Sequence, residues 1–302
     1  MQHPKIQQNH PPTSLNNAFL TIGFVTGNLA LTFKSLSEDD FRILLGIEIG
    51  MRYHQWVPIE ELVKYTRLSE EKLRFRLRKL AKEKLVHWTK KPYEGFRIYF
   101  EAYDILALKT FVRRDTVSAI GGVIGVGKES VVYEGRGGLF EREVIIKFHR
   151  EGMGSFREIR RKRSYLNGRE ETLGVYAPRL AAEREYRALR ALYPTVSVPE
   201  PIDQNRHAVV MEYCNGKRLK DQRLTDPRRC LSEIMEQIDL TYRLGFVHGD
   251  LSEFNILEYN GRTILIDWPQ ALKKNEANAS ELLERDRANI LKFFKRRYNL
   301  AP

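Results

Sequence analysis

At 302 residues the chain is long enough for two domains, and its ordinary apolar content allows a full hydrophobic core. No run approaches the roughly 18–20 apolar residues of a membrane span, and the amino terminus lacks the basic-then-apolar pattern of a secretory leader. The two cysteines, Cys214 and Cys230, have no paired spacing, which argues against a disulfide framework or a zinc site. A reducing cytoplasm is therefore the expected location.

The charge balance is strongly basic. Lys and Arg number 51 and Asp and Glu 39, which gives a net charge of +12. Such an excess predicts a polyanionic partner, with nucleic acid as the first candidate. The alternative is a surface that Lys and Arg simply keep hydrated, and the distribution of the charges along the chain has to decide between the two.

The first 34 residues are expected to form an extension that is partly disordered. They are polar at the start and then weakly apolar, with three prolines among the first 12 residues. We expect residues 1–15 to be the disordered part. Ordered structure is expected to begin near Ser37.

The first predicted helix opens at Ser37, where the sequence Ser-Glu-Asp-Asp has the pattern of a capping box. Phe41, Leu45 and Ile49 are expected to form its buried face.

Two further helices follow in the predicted N-terminal module, which spans residues 35–110. Pro58 suits the first position of the second helix, with Ile59, Leu62 and Val63 facing inward. Ser69 is predicted to cap the third helix. The acidic residues of its first turn interact favourably with the helix dipole.

The third helix separates apolar from basic residues. Leu73, Leu77 and Leu80 recur at helical spacing and are predicted to face the core. The basic residues left around its exposed side are Arg74, Arg76, Arg78, Lys79 and Lys82.

Two strand-like segments, residues 85–89 and 96–100, come next and are joined by a short basic linker. Three helices and a hairpin predict a winged helix-turn-helix. The stretch from residue 70 to 91 is strongly basic, with nine basic and three acidic residues. On a recognition helix and wing, such a cluster would face a phosphate backbone. The alternative is a structural winged helix with a hydrated basic face. The residues predicted to contact nucleic acid are Arg74, Arg78, Lys82, Lys90 and Lys91.

The second half of the chain contains parts that suit nucleotide binding. Residues 120–133 are typical of a strand, a glycine-containing turn and a second strand, and small residues let backbone N–H groups approach an anion closely. The alternating run 143–148 places Lys147 on the next strand. Residues 179–189 form a strong helix, whose Glu185 is expected to pair with Lys147. The apolar strand that starts at Ala208 then runs into a polar linker that suits an adenine slot.

The most informative segment is the sequence H-G-D-L-S-E-F-N at residues 248–255. It places Asp250 and Asn255 in one loop, and Asp267 ends a buried strand twelve residues after Asn255. Protein kinases have H-R-D-x-x-x-x-N followed by D-F-G, an arrangement that holds a metal-bound triphosphate beside a base for a hydroxyl. An isolated H-x-D sequence would favour a plain turn, but the order of the upstream parts favours the kinase interpretation.

A competing nucleotide motif lies at residues 122–129, which read G-V-I-G-V-G-K-E. The P-loop pattern needs Ser or Thr after its Lys and a helix that opens there. Here Glu129 follows Lys128, and the next residues, from Val131 to Tyr133, favour a strand. The P-loop interpretation is therefore rejected.

Taken together, these segments resemble the RIO kinases, an atypical protein-kinase family, and are similar to its winged-helix subfamily in the archaeal form. The resemblance covers about residues 35–302. The blocks that carry it are GVGKES (125–130), VIIKFHR (144–150), SFREIRRKRSYL (155–166), RLAAEREYRAL (179–189), PIDQNRHAVVMEY (201–213), HGDLSEFN (248–255) and IDWPQ (266–270).

The resemblance implies an α+β fold in which an N-terminal winged helix-turn-helix precedes a small bilobal protein-kinase-like domain. The expected divisions are an extension at 1–34, the winged helix at 35–110, and the kinase domain at 111–302, with its N-lobe at about 111–211, hinge at 212–216 and C-lobe at about 217–302.

The resemblance also implies roles at single positions. Asp250 would be the catalytic base or an orienting carboxylate, Lys147 would hold the α and β phosphates, and Asn255 and Asp267 would ligate the metal. Asp267 would in addition accept a transient phosphoryl group, so that slow ATP hydrolysis is the working cycle. The residues expected to bind ATP are Gly125, Gly127, Lys128, Glu129, Ser130, Lys147, Glu185, Met211 and the backbone of Glu212 and Cys214.

The cofactors implied are ATP and Mg²⁺, with Mn²⁺ as the alternative metal. The implied activity is that of an autophosphorylating serine/threonine kinase with ATPase activity in maturation of the small ribosomal subunit. The expected partners are its precursor particles and their ribosomal RNA, with no membrane and no obligate protein partner. The 37 residues between Lys147 and Glu185 include a basic insert that is rich in arginine from residue 150 to 169. Hydroxyl residues of this basic insert that are candidates for autophosphorylation are Ser155, Ser164 and Thr172.

Departures from ordinary protein kinases leave other functions open. Asp267-Trp268-Pro269 replaces D-F-G, and no A-P-E sequence follows, so the part that usually docks peptides is missing before the final helix predicted at residues 276–298. One alternative is a binding module that ATP gates. A second is a small-molecule kinase of the aminoglycoside or choline type, which shares H-G-D-x-x-x-x-N. A third is a transcription regulator with an inactive kinase domain.

Overall fold

The computed structural model describes residues 29–150 and 173–300. The predicted disorder of residues 1–15 lies outside this part of the chain. So does the basic insert, with the hydroxyl residues Ser155, Ser164 and Thr172.

The N-terminal unit, residues 29–113, consists of helices around a two-stranded wing. Its elements are α1 Leu29–Ser35, α2 Glu38–Gly50, α3 Ile59–Thr66, α4 Glu70–Lys82, β1 Val86–Thr89, β2 Gly95–Ile98 and α5 Phe100–Arg113. The predicted helices and hairpin are confirmed. The inward leucines Leu73, Leu77 and Leu80 of α4 are all buried, and β1 and β2 pair antiparallel.

Two expectations for the start of this unit were wrong. Helix already begins at Leu29, not near Ser37. The capping box at Ser37 is present, but Leu45 of α2 is 42% exposed, while Ile43 and Leu44 are fully buried. The helix packs against α3, α4, α5 and β2, so its buried face is wider and turned further than a single stripe of residues predicts.

A five-stranded antiparallel sheet, the N-lobe sheet, follows α5. Its strands are β3 Ala119–Val126, β4 Ser130–Gly137, β5 Arg142–His149, β6 Pro201–Asn205 and β7 Ala208–Glu212, in the spatial order β3-β4-β5-β7-β6. Helix α6, Leu173–Leu192, packs against β5, β6 and β7 and is longer than the predicted 179–189.

The two faces of the N-lobe sheet belong to different cores. Val144, Ile146 and Phe148 of β5 pack in one core with the N-terminal unit. Met211 and Val209 of β7 pack in a second core with the rest of the chain. The sheet is therefore covered on one side by the N-terminal unit and on the other by α6 and the C-lobe. The domain boundary expected near residue 110 falls inside α5 and stays a prediction.

The C-lobe is built from short strands and two long helices. Its elements are β8 Lys217–Arg218, a 3₁₀ turn Leu219–Asp221, α7 Pro227–Arg243, β9 Phe246–Val247, β10 Ile256–Tyr259, β11 Arg262–Leu265, β12 Leu272–Lys273 and α8 Ala279–Tyr298. The Asp226 side chain caps α7, and Pro227 occupies its first turn. The helix predicted at 276–298 begins three residues later, at Ala279. No helix in the described ranges is long and apolar enough to cross a membrane.

Candidate active site

Three charged side chains from distant parts of the chain meet between the lobes. The Lys147 ammonium on β5 lies 2.6 Å from Glu185 Oε1 on α6 and 2.6 Å from Asp267 Oδ1, which follows β11. Burial alone would lower the pKa of Lys147, but the carboxylates of Asp267 and Glu185 outweigh it and raise that pKa above its usual value. The lysine is therefore a fixed cation, and the pairing with Glu185 that the sequence predicts is present.

Glu185 is held by more than the lysine. Its Oε1 also accepts the backbone N–H of Trp268 at 3.0 Å, and its Oε2 lies 2.7 Å from His149 Nε2. Burial would raise the pKa of Glu185, but Lys147 and His149 lower it well below its usual range. The carboxylate is thus ionised, and both of its oxygens have partners.

The catalytic loop is organised by His248. Its Nε2 donates to the carbonyl oxygen of Ile266 at 3.0 Å, and its Nδ1 accepts the Asp250 N–H at 3.3 Å. Burial lowers the pKa of His248 to about 4, so the ring is neutral at neutral pH. A neutral imidazole with one donor and one acceptor matches both contacts. The ring also lies 4.4 Å from the Trp268 ring.

Gly249 explains why this loop has H-G-D and not H-R-D. Its φ is +80°, and a Cβ atom there would lie 2.6 Å from the carbonyl oxygen of Gln270. Only glycine meets both conditions without strain.

Asp250 and Asn255 are joined through the loop backbone. The Asn255 amide donates to the carbonyl oxygen of Asp250 at 2.9 Å, and the Ile266 N–H donates to the carbonyl oxygen of Asn255 at 3.0 Å. Within residues 29–150 and 173–300, no side chain forms a hydrogen bond with the Asp250 carboxylate. Burial raises its pKa, Arg285 opposes the rise, and Asp267 adds to it.

A third aspartate, Asp286 on α8, supports the same loop and was missed in the sequence. Its carboxylate accepts the backbone N–H groups of Gly249 and Leu251 at 2.8 and 3.0 Å. Burial raises its pKa to about 6. The available signal was its position between Leu283 and Ile290, on the apolar face of an otherwise amphipathic helix.

Asn255 and Asp267 form a donor set that fits Mg²⁺. The amide nitrogen of Asn255 is used inside the loop, which leaves its oxygen as the free ligand atom, and Asp267 is 45% exposed to the cleft. Magnesium in kinases takes one or two carboxylates and completes its shell with phosphates and water. In the described residues no group of three or more His, Cys, Asp or Glu side chains could hold a metal.

The glycine turn lies between β3 and β4. The Gly127 N–H donates to the carbonyl oxygen of Ser130 at 2.8 Å, which closes the turn. A Cβ at Gly125 would meet only Val132, at 3.8 Å, so packing does not require glycine there. The space suits a close phosphate. Lys128 is exposed, and Glu129 and Ser130 are half-buried.

The hinge lies at the end of β7. Met211 is buried behind it, and Glu212 is exposed at the strand end. The Glu212 N–H donates to the backbone carbonyl oxygen of Glu200. Among the described residues the Cys214 N–H has no backbone acceptor. A free N–H at this edge suits an adenine ring.

The basic residues of the winged helix are divided between two environments. Arg76 turns inward and pairs with Asp40 of α2, with 22% of its side chain exposed, so the expectation that it lies on the exposed side was wrong. Lys79 also reaches Asp40, at 3.7 Å, but 39% of its side chain stays exposed. Arg74 is paired with Glu70 and Glu94. Among the residues predicted to contact nucleic acid, the four with no ion pair in the ranges that the structure describes are Arg78, Lys82, Lys90 and Lys91.

A five-stranded N-lobe, a Lys–Glu pair and a loop of Asp250 and Asn255 beside Asp267 are the arrangement of a protein-kinase-like ATP site. The RIO domain profile matches residues 131–301, and the profile described as Rio2, N-terminal matches residues 33–114. The chain belongs to the RIO family of serine/threonine-protein kinases, in the Rio2 group that carries an N-terminal winged helix. The fold class and enzyme class predicted from the sequence are confirmed.

Individual relatives agree with this family assignment. The chain is 38% identical to the RIO-type serine/threonine-protein kinase Rio2 of Methanocaldococcus jannaschii, over 82% of this chain and 92% of the relative. It is 38% identical to rio2 of Dictyostelium discoideum, over 88% of this chain but only 51% of that longer protein. The Chaetomium thermophilum Rio2 kinase, solved as an ADP/Mg²⁺-phosphoaspartate complex, matches with a TM-score of 0.79 and 32% identity, over 90% of this chain and 84% of that one.

Proposed function

We propose that the chain binds MgATP between its lobes and works through a phosphoryl-transfer cycle that includes ATP hydrolysis. The observation that carries this proposal is the position of Lys147, 2.6 Å from both Glu185 and Asp267 and next to the catalytic loop. A buried cation fixed by two carboxylates provides the preorganised charge that phosphoryl transfer needs.

Residues around this cation have complementary roles. Adenine would lie at the Cys214 N–H with Met211 behind it, and the phosphates would lie under the turn at Gly125 to Ser130. Magnesium, when bound by Asn255 and Asp267, would neutralise charge on the phosphates. Asp250, whose carboxylate is free, would orient the attacking hydroxyl or water.

Asp267 is the proposed acceptor of the cycle. One of its carboxylate oxygens would attack the γ-phosphorus, the bond to the β-phosphate oxygen would break, and ADP would leave. Water would then hydrolyse the acyl phosphate and regenerate the carboxylate. The Chaetomium thermophilum Rio2 structure, described as a phosphoaspartate complex, supports this step by similarity.

The proposed setting is maturation of the small ribosomal subunit in the cytoplasm. The winged helix would contact structured ribosomal RNA of the precursor particle. The unpaired basic side chains of α4 and the wing support this partner, as does the net charge of +12. Autophosphorylation of a serine belongs to the same proposal.

One observation favours a cycle in which phosphoryl transfer serves the release of a bound partner over phosphorylation of a separate protein. After Asp267 the chain passes through the two-residue strand β12 directly into α8 at Ala279. This short connection provides little surface for docking a peptide beside the phosphates.

The test is incubation of the chain with γ-labelled ATP and Mg²⁺, alongside Asp250→Ala and Asp267→Asn. We expect both variants to lose phosphate release while keeping the wild-type unfolding midpoint. Asp221→Asn is the matched control, since this exposed aspartate pairs with Lys220 and has no role in the proposed chemistry. Label that hydroxylamine removes would support transfer to Asp267, and acid-stable label would indicate a serine acceptor. Equal hydrolysis in all four proteins would contradict the proposal.

A further inference from the structure

His149 is a buried side chain next to the ATP site that has no role in the proposed chemistry. It ends β5, two residues after Lys147, and therefore faces the same side of the sheet. It is 1% exposed, and its Nε2 lies 2.7 Å from Glu185 Oε2. Because Lys147 and the Trp268 N–H take the other oxygen, His149 determines how the Glu185 carboxylate is rotated.

The same strand end is fixed from the opposite face by Asp104 of α5. The Arg150 guanidinium donates to both Asp104 oxygens, at 3.0 and 2.5 Å. His207 Nε2 lies 2.7 Å from Asp104 Oδ1, and the His149 N–H donates to the carbonyl oxygen of His207 at 2.9 Å. Asp104 is 4% exposed and His207 is fully buried.

These contacts connect the N-terminal unit to the Lys147 site through the sheet. Neighbouring residues of a strand point to opposite faces, so His149 reaches Glu185 while Arg150 reaches Asp104. A two-point contact between a guanidinium and a carboxylate fixes orientation as well as distance. The backbone that carries His149 is thereby held by a helix outside the kinase sheet.

We propose that His149 is a positioning residue of the kinase and that Asp104 supports it. Together they hold Glu185 in the orientation that directs Lys147 towards the phosphates of ATP. The N-terminal unit thus forms part of the nucleotide site's support as well as a binding surface. This inference rests on the proposed function, because the phosphate contact of Lys147 is proposed there.

The test compares His149→Ala, His149→Gln and Asp104→Asn with the wild type. The matched control is Arg114→Gln. It breaks the ion pair between Arg114, at the end of α5, and Asp203 of β6, and neither residue contacts His149 or Glu185. For each protein we would measure kcat and KM for phosphate release from MgATP, and the thermal unfolding midpoint. All rates are taken at a temperature at which every variant is folded.

We expect His149→Ala to lower kcat/KM by about tenfold to a hundredfold, the usual effect of losing a hydrogen bond to a charged group. His149→Gln should recover most of the activity, because its amide N–H can donate to Glu185. The kcat/KM of Asp104→Asn should lie between those of His149→Ala and His149→Gln, and that of Arg114→Gln should match the wild type. A purely structural role would lower the unfolding midpoint without rescue of kcat/KM by Gln.

Wild-type kcat/KM in folded His149→Ala would overturn the inference, and so would a folded His149→Gln with no recovery. If His149→Ala does not fold, Asp104→Asn decides: a loss relative to Arg114→Gln supports the inference, and equality with it overturns it. A wild-type chain that releases no phosphate would overturn the proposed function itself, and this inference with it.

Discussion

At the scale of single residues, three aspartates near the catalytic loop differ in their surroundings. Asp286 is buried and accepts two backbone N–H groups, so it is a structural support. Asp267 pairs with Lys147 and is half-exposed to the cleft. Asp250 keeps a carboxylate free of protein donors in the described part of the chain. Because the side chains are chemically identical, their different roles come from their environments alone.

His248 makes the stability of the chain depend on pH. Burial holds its native pKa at about 4, against 6.5 for the ordinary value. Between these values the unfolded chain binds a proton that the native chain does not, so stability is present above pH 6.5 and is lost as pH falls towards 4. Between pH 7.5 and pH 5, this group should cost the native state about 2 kcal/mol.

The variant His248→Gln isolates this contribution, because glutamine can donate to Ile266 but does not titrate. Denaturant unfolding at pH 7.5 and pH 5 should show a smaller loss of stability in the variant than in the wild type. Asp286, whose raised pKa acts in the opposite direction, is present in both proteins and cancels. Equal losses would show that His248 is not buried in its neutral form.

At the scale of elements, the catalytic loop depends on a glycine that lies against the backbone after Asp267. Gly249→Ala should cost about 1–3 kcal/mol of stability through strain at positive φ. Its Cβ, 2.6 Å from the Gln270 oxygen, should also displace Asp250 and lower phosphate release by about a hundredfold.

The control for this change is Gly245→Ala. Gly245 also has positive φ, at +91°, but an added Cβ would meet nothing within 4 Å. It should therefore show strain alone and retain activity. Similar activities of the two variants would contradict a specific role for the close contact at Gly249.

Helix α4 and the wing lead to a second prediction at this scale. Lys82 is exposed and without an ion pair in the ranges described, so Lys82→Gln should weaken binding to structured RNA. The slope of log affinity against log salt should fall by about one unit per lost phosphate contact. Salt titrations of wild type and variant measure this slope.

Lys64→Gln is the matched control, since it removes the same charge from α3, where Lys64 pairs with Glu61. It should leave the salt slope unchanged. Equal effects of the two substitutions would indicate that net charge, and not a surface of α4, attracts RNA.

At the scale of the whole molecule, the N-terminal unit and the kinase sheet share one core. Val144, Ile146 and Phe148 are covered by the N-terminal unit. A truncated chain that begins at Ala119 would expose this face. Each uncovered side chain costs about 1.5–3 kcal/mol, so the unfolding midpoint should fall by about 10 °C or more.

Calorimetry and binding of a dye specific for apolar surface would check this prediction. An unchanged midpoint in the truncated chain would show that the two parts fold independently. It would also weaken the proposed link from Asp104 to Glu185.

The sequence by itself determined the parts whose signals are local. The capping box at Ser37 and the leucine face of α4 depend on residues close in the chain, and the loop of Asp250 and Asn255 has a spacing that few other sites share. The family followed from several such segments in a fixed order. Helix boundaries such as Leu173 and Ala279 were less well predicted, because packing extends or shortens a helix.

Only the tertiary structure decided which side chains meet. Arg76 turns towards Asp40, Asp286 reaches the catalytic loop, and His149 contacts Glu185 from 36 residues away. Periodicity shows that a residue is buried or exposed, but it does not identify the partner that a buried polar group needs. That partner is set by how helices and sheet pack, which depends on the whole chain.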